Sequence, residues 1–143
     1  MIKGLKICGI SDPKTLNYIL NHNQKPTMIG FITNYEKSRR FVEYEKLREL
    51  INVDKKNISF VSVLVNPNDE ILEKIKDLNF DYYQLYDVDA DRTNEIKSKY
   101  KIKIITAITV SSKEDVIKYK DYTNVSDVIL FDSKGYHKSE SFD

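Results

Sequence analysis

One cysteine in 143 residues leaves no partner for an internal disulfide and none of the paired spacings that hold zinc. A lone thiol fits a reducing compartment, so a cytoplasmic location is expected. Glycine is scarce as well, with 4 in the chain. There is no G-x-G-x-x-G and no G-x-x-x-x-G-K-[ST], so the phosphate-cradling turns of nucleotide-binding sheets have no counterpart. Neither sign of charge dominates: Lys+Arg 23 against Asp+Glu 22 gives a net charge of +1, with the lysines interleaved among acids and asparagines. A field able to hold nucleic acid or an anionic membrane is therefore not expected. Apolar runs stay well short of the ~20 residues a membrane helix needs. The opening Met1-Ile2-Lys3-Gly4-Leu5-Lys6 leads straight into a strand, without the apolar stretch of a signal peptide. With 3 prolines and no Gly/Ser-rich tract, no linker divides the chain, and residues 1–143 read as one domain.

What is present is an alternation. Apolar runs at 5–10, 27–33, 58–65, 80–86, 102–110 and 126–132 read as strands. Those at 102–110 and 128–131 are nearly unbroken in large apolar residues, as expected for strands covered on both faces in a parallel sheet. Helical patterns lie between them. Ser11-Asp12-Pro13 offers a cap and a proline at the first helical position, ahead of Leu16, Ile19 and Leu20. Tyr44, Leu47, Leu50 and Ile51 give a second stripe, and Ile71, Leu72, Ile75 and Leu78 a third. Residues 88–100 read as the weakest helix, with Ile96 almost their only apolar anchor. Ser111 with Glu114 suggests a capping box before Val116, Ile117 and Tyr119. The result is an α/β chain of six strands and five helices. Such a series folds either as an open doubly wound sheet or as part of a (β/α) barrel, and the pattern alone does not choose.

Cys8 closes the first strand and Asp132 the last. If the strands run parallel, both open onto the rim where ligands bind in parallel α/β proteins. A thiol and a carboxyl group there form a candidate acid/base pair, and Lys6, two residues before Cys8, shares its strand face. Read singly, each residue also has a plainer meaning. Cys8 is then a packed strand cysteine, Asp132 a strand-end carboxylate capping a turn, and Arg40 a surface cation. His22 and His137 read as solvated, and the ten tyrosines as packing groups with wet hydroxyls.

Several short segments, in order, raise the sharper reading. Lys6-Ile7-Cys8-Gly9-Ile10, then Ile29-Gly30-Phe31 followed by Ser38-Arg39-Arg40-Phe41-Val42, resembles the phosphoribosylanthranilate isomerase family of tryptophan biosynthesis, with its K-I-C-G opening and its G-F followed by S-x-R-x-V. Val63-Leu64-Val65-Asn66 is similar to that family's V-F-V-N, and Gln84-Leu85-Tyr86 to its Q-L-H-G. Thr106-Ala107-Ile108, Leu130-Phe131-Asp132-Ser133 and Ser141-Phe142-Asp143 match its fifth strand, its sixth strand and the S-F-D-W that follows. The resemblance implies an Amadori rearrangement of a small phosphorylated aminoaldose, N-(5-phosphoribosyl)anthranilate, with no metal or other cofactor. By position, Cys8 would be the general base and Asp132 the general acid. Arg40 would hold the anthranilate carboxylate through its planar guanidinium. Free cysteine titrates near ~8.5 and aspartic acid near ~3.9, so these roles ask Cys8 to lose its proton and Asp132 to keep one. Lys6 is the candidate compensating charge for the thiolate.

Two departures accompany the resemblance. The histidine and glycine of Q-L-H-G are Tyr86 and Asp87, and Asp87 brings negative charge to the rim. The family's fold is a (β/α)8 barrel, reached in about 200 residues. The implied architecture here is an incomplete TIM-type barrel, lacking units 7 and 8 and the strand 7–8 loops that usually grip phosphate. Activity impaired by truncation is therefore expected, as is self-association through exposed sheet edges. The rival reading is a catalytically inactive α/β fragment or self-associating module.

Overall fold

Each strand hands the chain to a connection that returns it beside the strand just left. The computed structural model describes residues 3–133, so His137 and the match at 141–143 lie outside the described residues. Strands β1 (Lys6–Cys8), β2 (Met28–Ile32), β3 (Ser59–Val65), β4 (Tyr82–Tyr86), β5 (Lys103–Val110) and β6 (Val128–Ser133) form one sheet in the order β1-β2-β3-β4-β5-β6. Every neighbouring pair is parallel. That order decides between the two architectures. A doubly wound sheet reverses its direction of winding at a switch point, whereas this one never does. With all crossovers of one hand, the helices collect on one face and the other face becomes the inside of a curved, barrel-type sheet.

Strand alternation then sorts the core into two faces. Outward-facing Ile29, Phe31, Phe60, Leu64, Tyr83, Leu85 and Ile104 pack against helix residues such as Leu16, Leu47, Leu72, Ile75 and Ile96 in one continuous cluster. Burying a side chain of this size stabilises the fold by roughly 1.5–3 kcal/mol. Inward-facing Met28, Val61 and Ile105 form a lower layer, with Ile32, Val63, Tyr86 and Ala107 above it. The strand bounds lie within one or two residues of the sequence expectation, and β1, Lys6–Cys8 against 5–10, is shortened at both ends.

Caps set most helix starts. Asp12 accepts from the Thr15 amide at 2.8 Å, and Pro13 opens α1 (Pro13–Asn21). Helix α2 spans Tyr44–Leu50. Asn68 accepts from the Ile71 amide at 3.0 Å to start α3 (Asp69–Ile75). The segment expected to be weakest is the longest helix, α4 (Ala90–Tyr100). Its apolar anchors are indeed few, but polar contacts to other elements replace them. Arg92 pairs with Asp69 at 2.7 Å, Lys97 with Asp127 at 2.6 Å and Lys99 with Glu73 at 3.2 Å. Asp89 caps its start at 2.8 Å. The fifth connection is weaker than expected, a four-residue α5 (Lys113–Val116) running into a 3₁₀ turn, Ile117–Asp121. Its capping pair is Ser112 with Asp115, one residue beyond the expected Ser111 with Glu114. One Asp115 oxygen, Oδ2, accepts from the amides of both Ser111 and Ser112, which a Glu114 side chain does not do here.

Two aspartates register the sheet in the same way. Before β4, Asp81 accepts from the Phe60 amide and from Lys55, both at 2.8 Å. Before β6, Asp127 accepts from the Ile104 amide at 2.8 Å and from Lys97. Each carboxylate thus pins the start of its strand to the strand before it.

Candidate active site

At the carboxyl ends of the strands lies an open cleft of about 390 Å³. Lys6 and Cys8 reach it from β1, Arg40 from the segment after β2, Gln84 and Tyr86 from β4, and Asp132 from β6. Thus all three candidate residues, Cys8, Arg40 and Asp132, line one cavity. A hollow of about 520 Å³ also lies between α1 and α2, lined by Leu16, Leu20, Leu50 and Val53 among others. It belongs to the helical layer and has no comparable convergence of thiol, carboxyl and guanidinium groups.

The chain turns sharply after Cys8. Gly9 has φ +84, and the amides of Gly9 and Ile10 both donate to the Gly30 carbonyl, at 2.9 and 3.2 Å. A side chain at position 9 would be strained in that conformation. Its Cβ would also meet Arg40 Cδ and Nη1 at 2.5 Å. The glycine of the opening motif therefore lets the Arg40 side chain lie against the end of β1. There Nη1 donates to the Cys8 carbonyl at 2.9 Å. Gly30 does the corresponding work on β2, where a Cβ would stand 2.9 Å from Lys6 Nζ and 3.1 Å from Cys8 Sγ. Its missing side chain leaves room for the ammonium and the thiol on the inward face.

Asp132 is held at both oxygens. Oδ2 accepts from the Tyr86 hydroxyl at 2.8 Å, and Oδ1 from the Ser133 amide at 2.9 Å. Tyr86 and Asp132 belong to strands separated by β5, and adjacent strands lie about 4.8 Å apart. Sheet curvature and the small Ala107, which sits in the same inward cluster as Tyr86, make the contact possible. Gln84 Nε2 in turn donates to the Tyr86 oxygen at 3.2 Å. Burial, then the bond to Asp132, pushes the Tyr86 phenol well above the ordinary tyrosine range. Tyr86 is only 8% exposed, so its hydroxyl is not the solvated tip expected of the tyrosines. This Gln84–Tyr86–Asp132 contact is what sequence reasoning missed. Alternation places residues 84 and 86 on one face, but the link to β6 depends on curvature.

Asp87 adopts φ 55 at the position where Q-L-H-G carries glycine, so the motif's glycine marks a left-handed turn at the end of β4. Among the described residues, no cluster of His, Cys, Asp and Glu is arranged to hold a metal ion, and no helix is long and apolar enough to cross a membrane.

The family model for N-(5'-phosphoribosyl)anthranilate (PRA) isomerase matches residues 5–143. An N-(5'-phosphoribosyl)anthranilate isomerase from Rhizobium rhizogenes is 31% identical over 132 residues, covering 91% of this chain and 58% of its own length. One from Zymomonas mobilis subsp. pomaceae is 32% identical over 131 residues, covering 90% of this chain and 61% of its own. The chain thus spans about three fifths of the length of these relatives. The crystal structure of phosphoribosyl anthranilate isomerase from Thermotoga maritima superposes with a TM-score of 0.83 at 24% identity, over 99% of this chain and 66% of that one. A structure of the same enzyme type in complex with reduced 1-(o-carboxyphenylamino)-1-deoxyribulose 5-phosphate gives a TM-score of 0.79, over 93% of this chain and 66% of that one. At such identities the structural likeness speaks for the fold, the first six units of a (β/α)8 barrel. The match over residues 5–143 speaks for the lineage, and this chain belongs to the N-(5'-phosphoribosyl)anthranilate isomerase family.

Proposed function

We propose that the cleft carries out the family's aldose–ketose isomerisation, the Amadori rearrangement of N-(5-phosphoribosyl)anthranilate. The observation that carries this reading is the convergence of Cys8, Asp132 and Arg40 in one cavity at the strand ends. Arg40 binds the anthranilate carboxylate in two-point fashion. Asp132 gives a proton to the furanose ring oxygen, which breaks the C1–O bond as the anilino nitrogen forms a Schiff base with C1. Cys8, as thiolate, then removes the proton from C2, and the electron pair moves through C1 to the nitrogen to give an enolamine. Tautomerisation leaves the ketone at C2. Atoms and electrons balance within the substrate, so no cofactor enters the reaction. Lys6 shares the strand face of Cys8, and both side chains stand over Gly30. A lone thiol and chemistry that uses no oxidant both suit a reducing cytoplasm.

Calorimetry with reduced 1-(o-carboxyphenylamino)-1-deoxyribulose 5-phosphate tests the site, and product formation from the aminoaldose tests the chemistry. Saturable binding that Arg40→Ala weakens, with turnover abolished by Cys8→Ser and by Asp132→Asn, is the expected result. Normal turnover in Cys8→Ser would overturn the assignment.

Self-association is a second proposal, carried by the sheet edges. Among the described residues, β1 and β6 pair on one side only. Apolar side chains stand open at both, with Leu5 65% exposed just before β1 and Phe131 38% exposed on β6. Unpaired edges of this kind recruit further strands. Sedimentation at micromolar concentration should show a dimer, and a monodisperse monomer would refute the proposal.

A further inference from the structure

Tyr86 has one proton to give, and it goes to Asp132 Oδ2. Its oxygen must then accept from Gln84, which turns Nε2 towards the phenol and fixes the orientation of the amide. The other end of that amide is left without a partner. Gln84 is 1% exposed, and its Oε1 is a buried acceptor with no hydrogen bond among the described residues. Such an atom loses its bonds to water on folding and gains none in return. A chain that only needed to fill this layer would do better with an apolar side chain, as Val63 and Ile105 do on the flanking strands in register with Gln84.

The orphaned acceptor makes sense if the chain of bonds runs in two directions. With Asp132 ionised, donors point one way: Gln84 N–H to the Tyr86 oxygen, then Tyr86 O–H to the carboxylate. With Asp132 protonated, its own O–H must donate, and the acceptor within reach is the Tyr86 oxygen. Tyr86 then turns its proton to Gln84, whose amide rotates by half a turn to offer Oε1. A glutamine serves both states because it carries a donor and an acceptor on one planar group. No apolar residue could.

We propose that Tyr86 and Gln84 are positioning residues for Asp132, forming a hydrogen-bond chain that reverses direction whenever the carboxyl group gains or loses its proton. The inference rests on the proposed function only in taking Asp132 as the group that exchanges a proton. One proton enters or leaves at Asp132, and every other proton stays with its heavy atom. The chain holds the carboxyl in one place through both states, so Asp132 need not move to donate and then to recover its proton. The family's histidine at this position could change its own charge there, whereas Tyr86 stays neutral, its phenol raised by burial and by Asp132. Among the described residues, the other ionisable groups lining the cleft are Lys6 and Cys8 from β1 and Tyr35 and Arg40 from beyond β2, and the test leaves all of them in place.

The test follows the Asp132 carboxyl carbon by NMR against pH in chain labelled with ¹³C-aspartate, the resonance being assigned by its loss in Asp132→Asn. Tyr86→Phe removes a donor from the carboxylate and should raise the titration midpoint by about one pH unit. Gln84→Met should raise it by less, and should have no effect in the Tyr86→Phe background, because Gln84 acts only through Tyr86. A Gln84→Met shift that persists without Tyr86, or a midpoint unmoved by Tyr86→Phe, would overturn the proposal. If Tyr86→Phe does not fold, 3-fluorotyrosine placed at position 86 keeps the test. Its more acidic hydroxyl is a stronger donor and should lower the midpoint, and no change would count against the chain. A merely structural role would alter the melting temperature without this pattern of dependence. Should the isomerase reading fail, the titration pattern would still appear. Turnover with an unmoved midpoint would sink the chain of bonds alone.

Discussion

Arg40 Nη1 donates to the carbonyl oxygen of Cys8 at 2.9 Å, across the bare backbone of Gly9. The guanidinium is thereby referenced to the strand end that carries the thiol, with its planar fork still suited to a carboxylate. Under the proposed function, a carboxylate bound to Arg40 would be held at a set distance from Cys8.

The first prediction follows from that tie. Arg40→Lys keeps the charge but cannot make the backbone bond and a two-point carboxylate contact together. Its affinity for reduced 1-(o-carboxyphenylamino)-1-deoxyribulose 5-phosphate, by calorimetry, should fall about tenfold or more, in line with the ~1.5–3 kcal/mol of a hydrogen bond to a charged group. Full affinity in Arg40→Lys would mean that charge alone holds the ligand.

A second concerns the thiol. The Lys6 ammonium and Cys8 Sγ both crowd the space over Gly30. Positive charge beside a cysteine favours the reactive thiolate. Lys6→Met should slow alkylation of Cys8 by iodoacetamide several-fold at neutral pH, while the melting temperature stays close to that of the parent. Unchanged alkylation would remove Lys6 from the account.

The parts of this arrangement differ in how far they could be read from residue order. Unbroken apolar runs such as 102–110 marked strands covered on both faces, because burial on two sides leaves no polar alternation. Cys8 and Asp132 could be placed on one rim from their positions at strand ends. Helix α4 resisted because its stabilising partners, Asp69, Glu73 and Asp127, lie on other elements and leave no periodic mark. The bond from Tyr86 to Asp132 was hidden for a related reason: it spans an intervening strand, so no spacing along either strand marks it.

Alkaline pH gives a third prediction. Tyr83 is 2% exposed, and burial pushes its phenol up to about 12, with Tyr100 and Asp77 adding to the shift. Tyr86 is raised as well. The folded chain keeps these protons at a pH where the unfolded chain, titrating near the ordinary 10.0, has released them. Their stabilising contribution is therefore complete below pH ~10 and is lost as the pH rises towards 12. In a phenolate absorbance titration, Tyr83 and Tyr86 should ionise last and together with unfolding. Tyr83→Phe should move that unfolding step to higher pH. A smooth titration of all ten, with the fold intact, would contradict this.

Asp87 supplies the last prediction, because one residue there affects both stability and binding. Its φ of 55 lies where an L side chain crowds the backbone, a conformation that costs roughly 1–2 kcal/mol for most residues and less for Asp or Asn. Asp87→Gly relieves that strain, although glycine also gives the unfolded chain more freedom, so the two effects partly offset. A small net gain, under about 0.5 kcal/mol in urea unfolding, is expected, with the slope unchanged. The same change removes a negative charge from the rim that the proposed anionic substrate would approach, so the sugar-phosphate analogue should bind more tightly and the gain should shrink as salt is added. If instead Asp87→Gly destabilises the chain, the contacts of the Asp87 side chain outweigh the strain in its backbone. Tighter binding that persisted at high salt would trace the gain to the shape of the turn rather than to its charge.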